Sequence, residues 1–409
     1  MTSAKSRNDN LYGRQSALAC QAIIILGRSF AVQAVVAIVM KGVGRMTGST
    51  FLKHFFLAFT LSLAIIAFTF FRSHIPDVRS YLQSTSRNMS ASTSSSLKLP
   101  KTQVEWRQAL DDLPSTPDNI PAFFFGHGSP MLAMPEGGGG GFASVLKHAG
   151  SKGPLANFLR DFGPALLEKY KPKGIVVFSA HWETYGERLV TDYGEENPLL
   201  MDYYGFQPEL YQLQFKSRGD SRISQRIVKA FQEAGQLART TTKLEARGED
   251  GRGFSGPGLD HGVFVPFRLM FGEQFLDIPI VQVSFDGSLD PAKNWAVGQA
   301  VEALRREGLL ILSGGLTVHN LRDFSCFSED SARPTYKAFD EAVVKAAAVE
   351  DHDARKKALV ALTSHEGFRL AHPREDHFVP LYVAGGAGGE GAARVVAAIY
   401  GSPTIAFGL

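Results

Sequence analysis

From about Gln103 to Leu409 the chain alternates short apolar runs with amphipathic stretches. Five runs read as strands: AFFFG (122–126), GIVVFSA (174–180), IPIVQVSF (278–285), GLLILSG (308–314) and PLYVAG (380–385). They are apolar almost throughout, the pattern of central strands buried on both faces. Between them, ANFLRDFGPALLEKY (156–170), SRISQRIVKAFQEAG (221–235), PAKNWAVGQAVEALRREG (291–308) and the long TYKAFDEAVVKAAAVEDHDARKKALVAL (335–362) read as helices. Strands alternating with helices predict an α/β fold: a central, mostly parallel or mixed sheet flanked by helices.

The pattern before Gln103 is different. Residues 1–54 carry Lys5, Arg7, Arg14, Arg28, Lys41, Arg45 and Lys53 against a single acid, Asp9, which is how a basic targeting-like leader reads. Residues 55–71, FFLAFTLSLAIIAFTFF, contain no charge over 17 positions, at the lower limit for a membrane-spanning helix. Two readings stay open for this segment: a signal-like leader removed from the mature protein, or a transmembrane or signal-anchor helix that would give membrane association. Residues 72–102 are rich in Ser and Thr and read as a disordered tether, because they hold too little apolar surface to offset the cost of ordering. Residues 103–409 read as one folded domain, the part of the chain expected to carry any chemistry. The protein is expected to be membrane-anchored or organelle-targeted if the N-terminal region is retained, and cytoplasmic otherwise.

Composition narrows the chemistry. Of 409 residues 44% are hydrophobic, enough for a sizeable core, and the net charge of +3 comes without the basic clusters that track nucleic acid. Only Cys20 and Cys326 are present, so a metal would have to be held by nitrogen and oxygen. The glycines at 137–141 lack the Lys-Ser/Thr ending of a phosphate loop and read as a surface loop.

Eleven histidines are available. His127 and His181 directly follow predicted strands, His319 lies five residues beyond a third, and His377 precedes the run at 380–385. His261 sits in the Gly-rich GLDHGVFVP. In open α/β sheets, ligands bind beyond the carboxyl ends of the strands, and neutral imidazole is the commonest side-chain ligand for transition metals. Each histidine taken alone reads equally as a turn or capping residue; the joint placement suggests an open metal site.

GHGSP, VVFSAHWE, YYGFQPELY, GLDHGVFVPF, LTVHNLRDF and AHPREDHFVPL occur in this order. Together they resemble the class III extradiol ring-cleavage dioxygenases, in particular the 4,5-DOPA dioxygenase-like branch, over residues 119 to 400. The resemblance implies a single metal ion held by His127, His181 and His377, with His319 also touching it in zinc-loaded relatives. It further implies His319 as catalytic base and His261 as a residue that steers oxygen or donates a proton. It is on this ground that His377 is preferred to His372. The implied cofactor is Fe(II), with Zn(II) able to occupy the same nitrogens. The implied substrates are dioxygen and a DOPA-like or other catechol, opened outside its two hydroxyls to a muconic semialdehyde.

Two features depart from the pattern. An all-histidine set is neutral where non-haem iron oxygenases usually include a carboxylate. Many relatives also carry His-Asp-Phe-Tyr-Gly where this chain has Met201, Asp202, Tyr203, Tyr204 and Gly205. Ser129, Glu183, Asn320 and Arg322 flank the candidate ligands; Arg322 could meet a substrate carboxylate or pair with Asp323 or Glu329. A zinc hydrolase with Glu183 or Asp260 as base, and a non-catalytic scaffold, are the competing readings.

Overall fold

The computed structural model describes residues 99–115, 119–134, 147–247, 253–254 and 256–409. The expected leader, the apolar segment 55–71, the tether up to residue 98 and the glycine run lie outside these. Residues Leu97–Leu409 form one compact unit. Its first described residues are tied down: Ala398 donates its backbone N–H to the Pro100 carbonyl at 2.7 Å, and Thr102 caps helix α1, Gln103–Asp111, in a capping box with Glu105. No helix among the described residues is long and apolar enough to cross a membrane.

The strands in chain order are β1 Ala122–Gly126, β2 Gly174–Thr184, β3 Glu187–Thr191, β4 Lys216–Ser217, β5 Leu237–Thr241, β6 Gln274–Phe275, β7 Ile280–Asp286, β8 Leu309–Gly315, β9 Ala393–Ala397 and β10 Thr404–Phe407. Eight of them make one sheet in the order β5-β3-β7-β2-β8-β1-β10-β9, while β4 and β6 pair separately. The centre, β7-β2-β8-β1, is parallel. Antiparallel pairs β1/β10 and β10/β9 extend one side, and β3 joins β7 antiparallel on the other. The sheet is therefore mixed around a parallel core, as the sequence pattern predicts.

The remaining helices are α2 Pro154–Tyr170, α3 Ser221–Glu233, α4 His261–Phe271, α5 Pro291–Val301, α6 Pro334–Ala347, α7 His352–Ala361, α8 Phe368–Ala371 and α9 Pro380–Gly388. Alternate strand residues face opposite layers. Phe123, Phe125, Ile175, Val177, Leu310 and Leu312 pack with α1, α2 and α4, whereas Phe124, Val176, Phe178, Val283 and Ile311 pack with α3, α5, α6 and α9. The continuous apolar runs have this cause: both faces of the central strands are covered.

One expected strand is a helix. PLYVAG belongs to α9, every residue of which is buried. A helix apolar on all sides has no polar face, so periodicity cannot separate it from a strand buried on both faces. Its glycines permit the packing: a Cβ on Gly386 would meet the Trp295 carbonyl oxygen at 2.1 Å, and one on Gly298 of α5 would meet the Val383 carbonyl oxygen at 2.0 Å. His377 accordingly precedes a helix and not a strand. The stretch 291–308 is α-helical only to Val301 and continues as a 3-10 helix over Glu302–Glu307. The long helix expected at 335–362 is two, α6 and α7, because Asp351 caps a new start by accepting from the Ala354 N–H. His261 is not in a loop: it is the first residue of α4, capped by Asp260.

Candidate metal centre and its surroundings

Register builds the site. Phe125 of β1 and Ser179 of β2 both stand opposite Gly314 of β8, so His127 and His181 each lie two residues beyond the same rung. Beyond Phe178 strand β2 slips its pairing with β7, which resumes only at Glu183 opposite Phe285. Four residues of β2 face one of β7 there, and this bulge contains His181; such bulges re-aim a side chain at a strand end.

The third histidine arrives from the far end of the chain. The segment before α9 lies against the carboxyl end of β8: the Leu316 N–H donates to the His377 carbonyl at 2.8 Å, and Ser313 Oγ donates to the Pro380 carbonyl at 2.8 Å. Gly315 must lack a side chain, since a Cβ would stand 2.5 Å from the His377 carbonyl oxygen.

His127, His181 and His377 are each no more than 2% exposed. Each offers a ring nitrogen, and the three nitrogens lie within 4.8 Å of one another. The Nε2 atoms of His181 and His377 are 3.0 Å apart. Two nitrogens on one ion at about 2.0–2.1 Å stand about 3 Å apart when roughly perpendicular, so this spacing suits shared ligation. Both ring nitrogens of His127 are buried with no hydrogen-bond partner among the described residues, a costly state that a bound cation relieves. Burial, followed by repulsion from His377 and His261, holds the His127 imidazole well below the usual histidine range. It is neutral and has a lone pair to give, and the group fits a divalent transition metal.

The outer nitrogens of the other two candidate ligands, His181 and His377, face carboxylates. His181 Nδ1 is 3.4 Å from both Asp202 Oδ2 and Asp260 Oδ1, and His377 Nδ1 is 3.2 Å from Asp376 Oδ2. Such partners fix the tautomer and raise ligand basicity. Asp260 is heavily engaged: it accepts from Ser179 Oγ at 2.6 Å, Gly262 N–H at 3.0 Å, Gln282 Nε2 at 2.5 Å and Arg247 Nη1 at 3.0 Å. Arg247 is fully buried and lies 5.0 Å over the Trp182 ring.

Two further histidines flank the cluster. His319 stacks on His377, with ring centroids 3.5 Å apart and planes at 14°. Burial and His377 hold it well below the usual histidine range, so it too is neutral. Its ring nitrogen groups with Asp376 and His377 rather than with the His127, His181 and His377 set. His261 stacks on His181 at 4.1 Å and groups with His181 and Asp202.

Residues 121–409 match the family described as the catalytic LigB subunit of aromatic ring-opening dioxygenase. The chain belongs to the LigB family. It is 42% identical to a 4,5-DOPA dioxygenase extradiol-like protein of Schizosaccharomyces pombe over 75% of this chain and 97% of that one. It is 33% identical to a 4,5-DOPA dioxygenase extradiol of Beta vulgaris, over 67% of this chain and 89% of the relative. A solved Escherichia coli K12 protein, titled as uncharacterized, superposes with a TM-score of 0.50 at 25% identity, covering 70% of this chain and 99% of its own.

Within this LigB-family site the flanking residues divide. Ser129 caps the 3-10 turn Pro130–Ala133, and Asn320 Nδ2 donates to Tyr336 Oη and the Leu370 carbonyl, so both serve local structure. Glu183 accepts twice from Arg374 Nη2, at 2.6 and 2.7 Å. Arg322 is exposed, and Asp323 pairs with Arg333 at 2.9 Å in its place. His372 is fully buried, its Nε2 donating to the Thr317 carbonyl, and burial pushes it down to about 4.

Sequence reasoning named Asp260 only as a base for the hydrolase reading and did not place Asp202, Asp260 or Asp376 behind the imidazoles. Asp376 is adjacent to His377, which is a legible hint. Asp202 lies in the MDYYG stretch that departs from the usual family motif. Nothing in the sequence marks Arg247 or Arg374.

Proposed function

We propose that the protein is a metal-dependent extradiol dioxygenase that opens a catechol ring with dioxygen, forming a muconic semialdehyde. The observation that carries this reading is the convergence of His127, His181 and His377 at the carboxyl ends of β1, β2 and β8, with the imidazoles of His319 and His261 stacked beside them. The names of the relatives, 4,5-DOPA dioxygenase extradiol among them, support a DOPA-like catechol as substrate.

His127, His181 and His377 would hold the ion. Fe(II) held there would supply the redox chemistry that a reaction of catechol with dioxygen needs, whereas zinc would suit the same nitrogens without that chemistry. The rest falls to the chain. The ligand set is neutral, so a catechol that gives up its protons supplies the missing negative charge. His319 and His261 are placed to take and return those protons; the burial that keeps His319 neutral leaves it a lone pair for the purpose. Two observations weigh against the hydrolase reading: Asp260 is occupied by four donors, and Glu183 is bound to Arg374, so neither carboxylate is available as a base.

The test is oxygen uptake by the full chain loaded anaerobically with Fe(II) and given L-DOPA, protocatechuate or caffeate. One dioxygen consumed per catechol, with a new yellow product, is the expected result. A folded protein with one bound metal and no uptake across a broad catechol panel overturns the proposal.

A further inference from the structure

Asp202 is fully buried between two imidazoles of the site. Its Oδ1 accepts from the backbone N–H of His261 at 2.8 Å and lies 2.7 Å from His261 Nδ1; its Oδ2 is 3.4 Å from His181 Nδ1. The backbone bond matters because it pins the carboxylate to the first turn of α4, where the dipole also favours negative charge. The two rings it reaches are stacked at 4.1 Å and inclined by 28°, so one carboxylate meets the same edge of both.

A carboxylate only accepts, so a nitrogen facing it must carry the proton. In a neutral imidazole the other nitrogen then holds the lone pair. Asp202 and Asp260 approach His181 Nδ1 only to 3.4 Å, a charge contact and not a hydrogen bond, but two negative charges there favour the proton on Nδ1 and leave the lone pair on Nε2, the atom 3.0 Å from His377 Nε2. For His261 the demand comes from Asp202, and Nε2 is left to accept.

We propose that Asp202 is a positioning residue serving both histidines: by accepting Nδ1–H of His261 at 2.7 Å and standing its charge 3.4 Å from Nδ1 of His181, it aims one Nε2 lone pair at the metal and makes the other the atom where a substrate proton is received and returned. The catechol O–H bond breaks, the proton joins His261 Nε2, and Asp202 stays ionised against the resulting imidazolium. What is new is the atom and its anchor: the proton handling already given to His261 is assigned to Nε2 by the carboxylate of Asp202 at Nδ1. The proton-handling half rests on the dioxygenase reading above; the tautomers do not.

The test is a long-range proton–nitrogen NMR spectrum of the zinc-loaded full chain with 15N-labelled histidine, resonances being assigned by loss in His261→Gln and His181→Gln. The Nδ1–H tautomer at both residues is expected; an Nε2–H tautomer at His261 overturns the proposal without any catalytic measurement. Asp202→Asn places an amide NH2 opposite one of the two Nδ1 atoms, and that imidazole must move its proton to Nε2. The expected result is a visible tautomer change together with a loss of about 10- to 100-fold in metal affinity or kcat, KM moving less. Unchanged tautomers with kcat and metal affinity within about twofold of wild type overturn it. If no catechol is turned over by the wild type, the dioxygenase reading fails while the spectrum still decides the tautomers.

Discussion

Asp340, on α6, shows how a residue without a site role still bears on the site's support. Its carboxylate accepts from Thr317 Oγ1 and from the Gly401 N–H, and Thr317 in turn accepts from His372 through its carbonyl. Burial pushes Asp340 up to about 6 from a usual 3.8. The folded state therefore binds this proton more tightly than the unfolded chain does. The stabilisation that follows is fully present below pH 3.8 and lost as pH rises through about 6, a loss on the order of 3 kcal/mol. Asn at this position keeps the accepting oxygen and carries no charge. Asp340→Asn is expected to melt above wild type at pH 7 and with it at pH 4; equal melting temperatures at both would show that the buried charge has no such effect. At this scale the histidines were legible because imidazole is itself the metal-binding chemistry. The acids behind them were not, since Asp202 and His261 are 59 positions apart and only folding brings them together.

At the scale of elements, α9 decides where His377 stands. The first turn is held to β8 through Ser313, while its body presses on α5 through Gly298 and Gly386 with backbone atoms as the near neighbours, and through Gly385 against the Trp295 ring. Backbone cannot swing aside as a flexible side chain can, so Gly298→Ala must push the two helices apart, at about 1–3 kcal/mol or more. The expected outcome is a lower melting temperature and less metal bound per chain, measured by elemental analysis, although no ligand has been touched. A lower melting temperature with full metal content would mean that α9 does not set the ligand's position. The same element is where sequence reading went wrong: glycine and β-branched residues in an apolar run look like a strand, and the close contacts that make them a good buried helix are long-range. The outer strands β5 and β3 on one side and β10 and β9 on the other went unseen for a related reason, being short and, in β5, only partly buried.

At the scale of the molecule, Leu97–Leu409 is one compact unit, and α1 is part of its core. Trp106 of α1 packs edge-on to Phe158 of α2 at 5.8 Å, and its Nε1 donates to Asp161 Oδ2 at 3.0 Å. A fragment starting at Leu97 is expected to fold and bind metal, as judged by circular dichroism and metal content. One starting at Leu113 loses Trp106, Ala109 and Leu110 from the core and is expected to melt at least several degrees lower. Equal stability of the two fragments would show that α1 is dispensable.

The sequence by itself determined the fold class, the central strands β1, β2, β7 and β8, the family and the five histidines, because burial on both faces and imidazole chemistry are local properties written at each position. Tertiary structure alone decided that 380–388 is a helix, that β2 bulges at His181, and that Asp202, Asp260 and Asp376 stand behind the imidazoles. Those outcomes depend on distances between residues far apart in the chain, and no local pattern carries a distance.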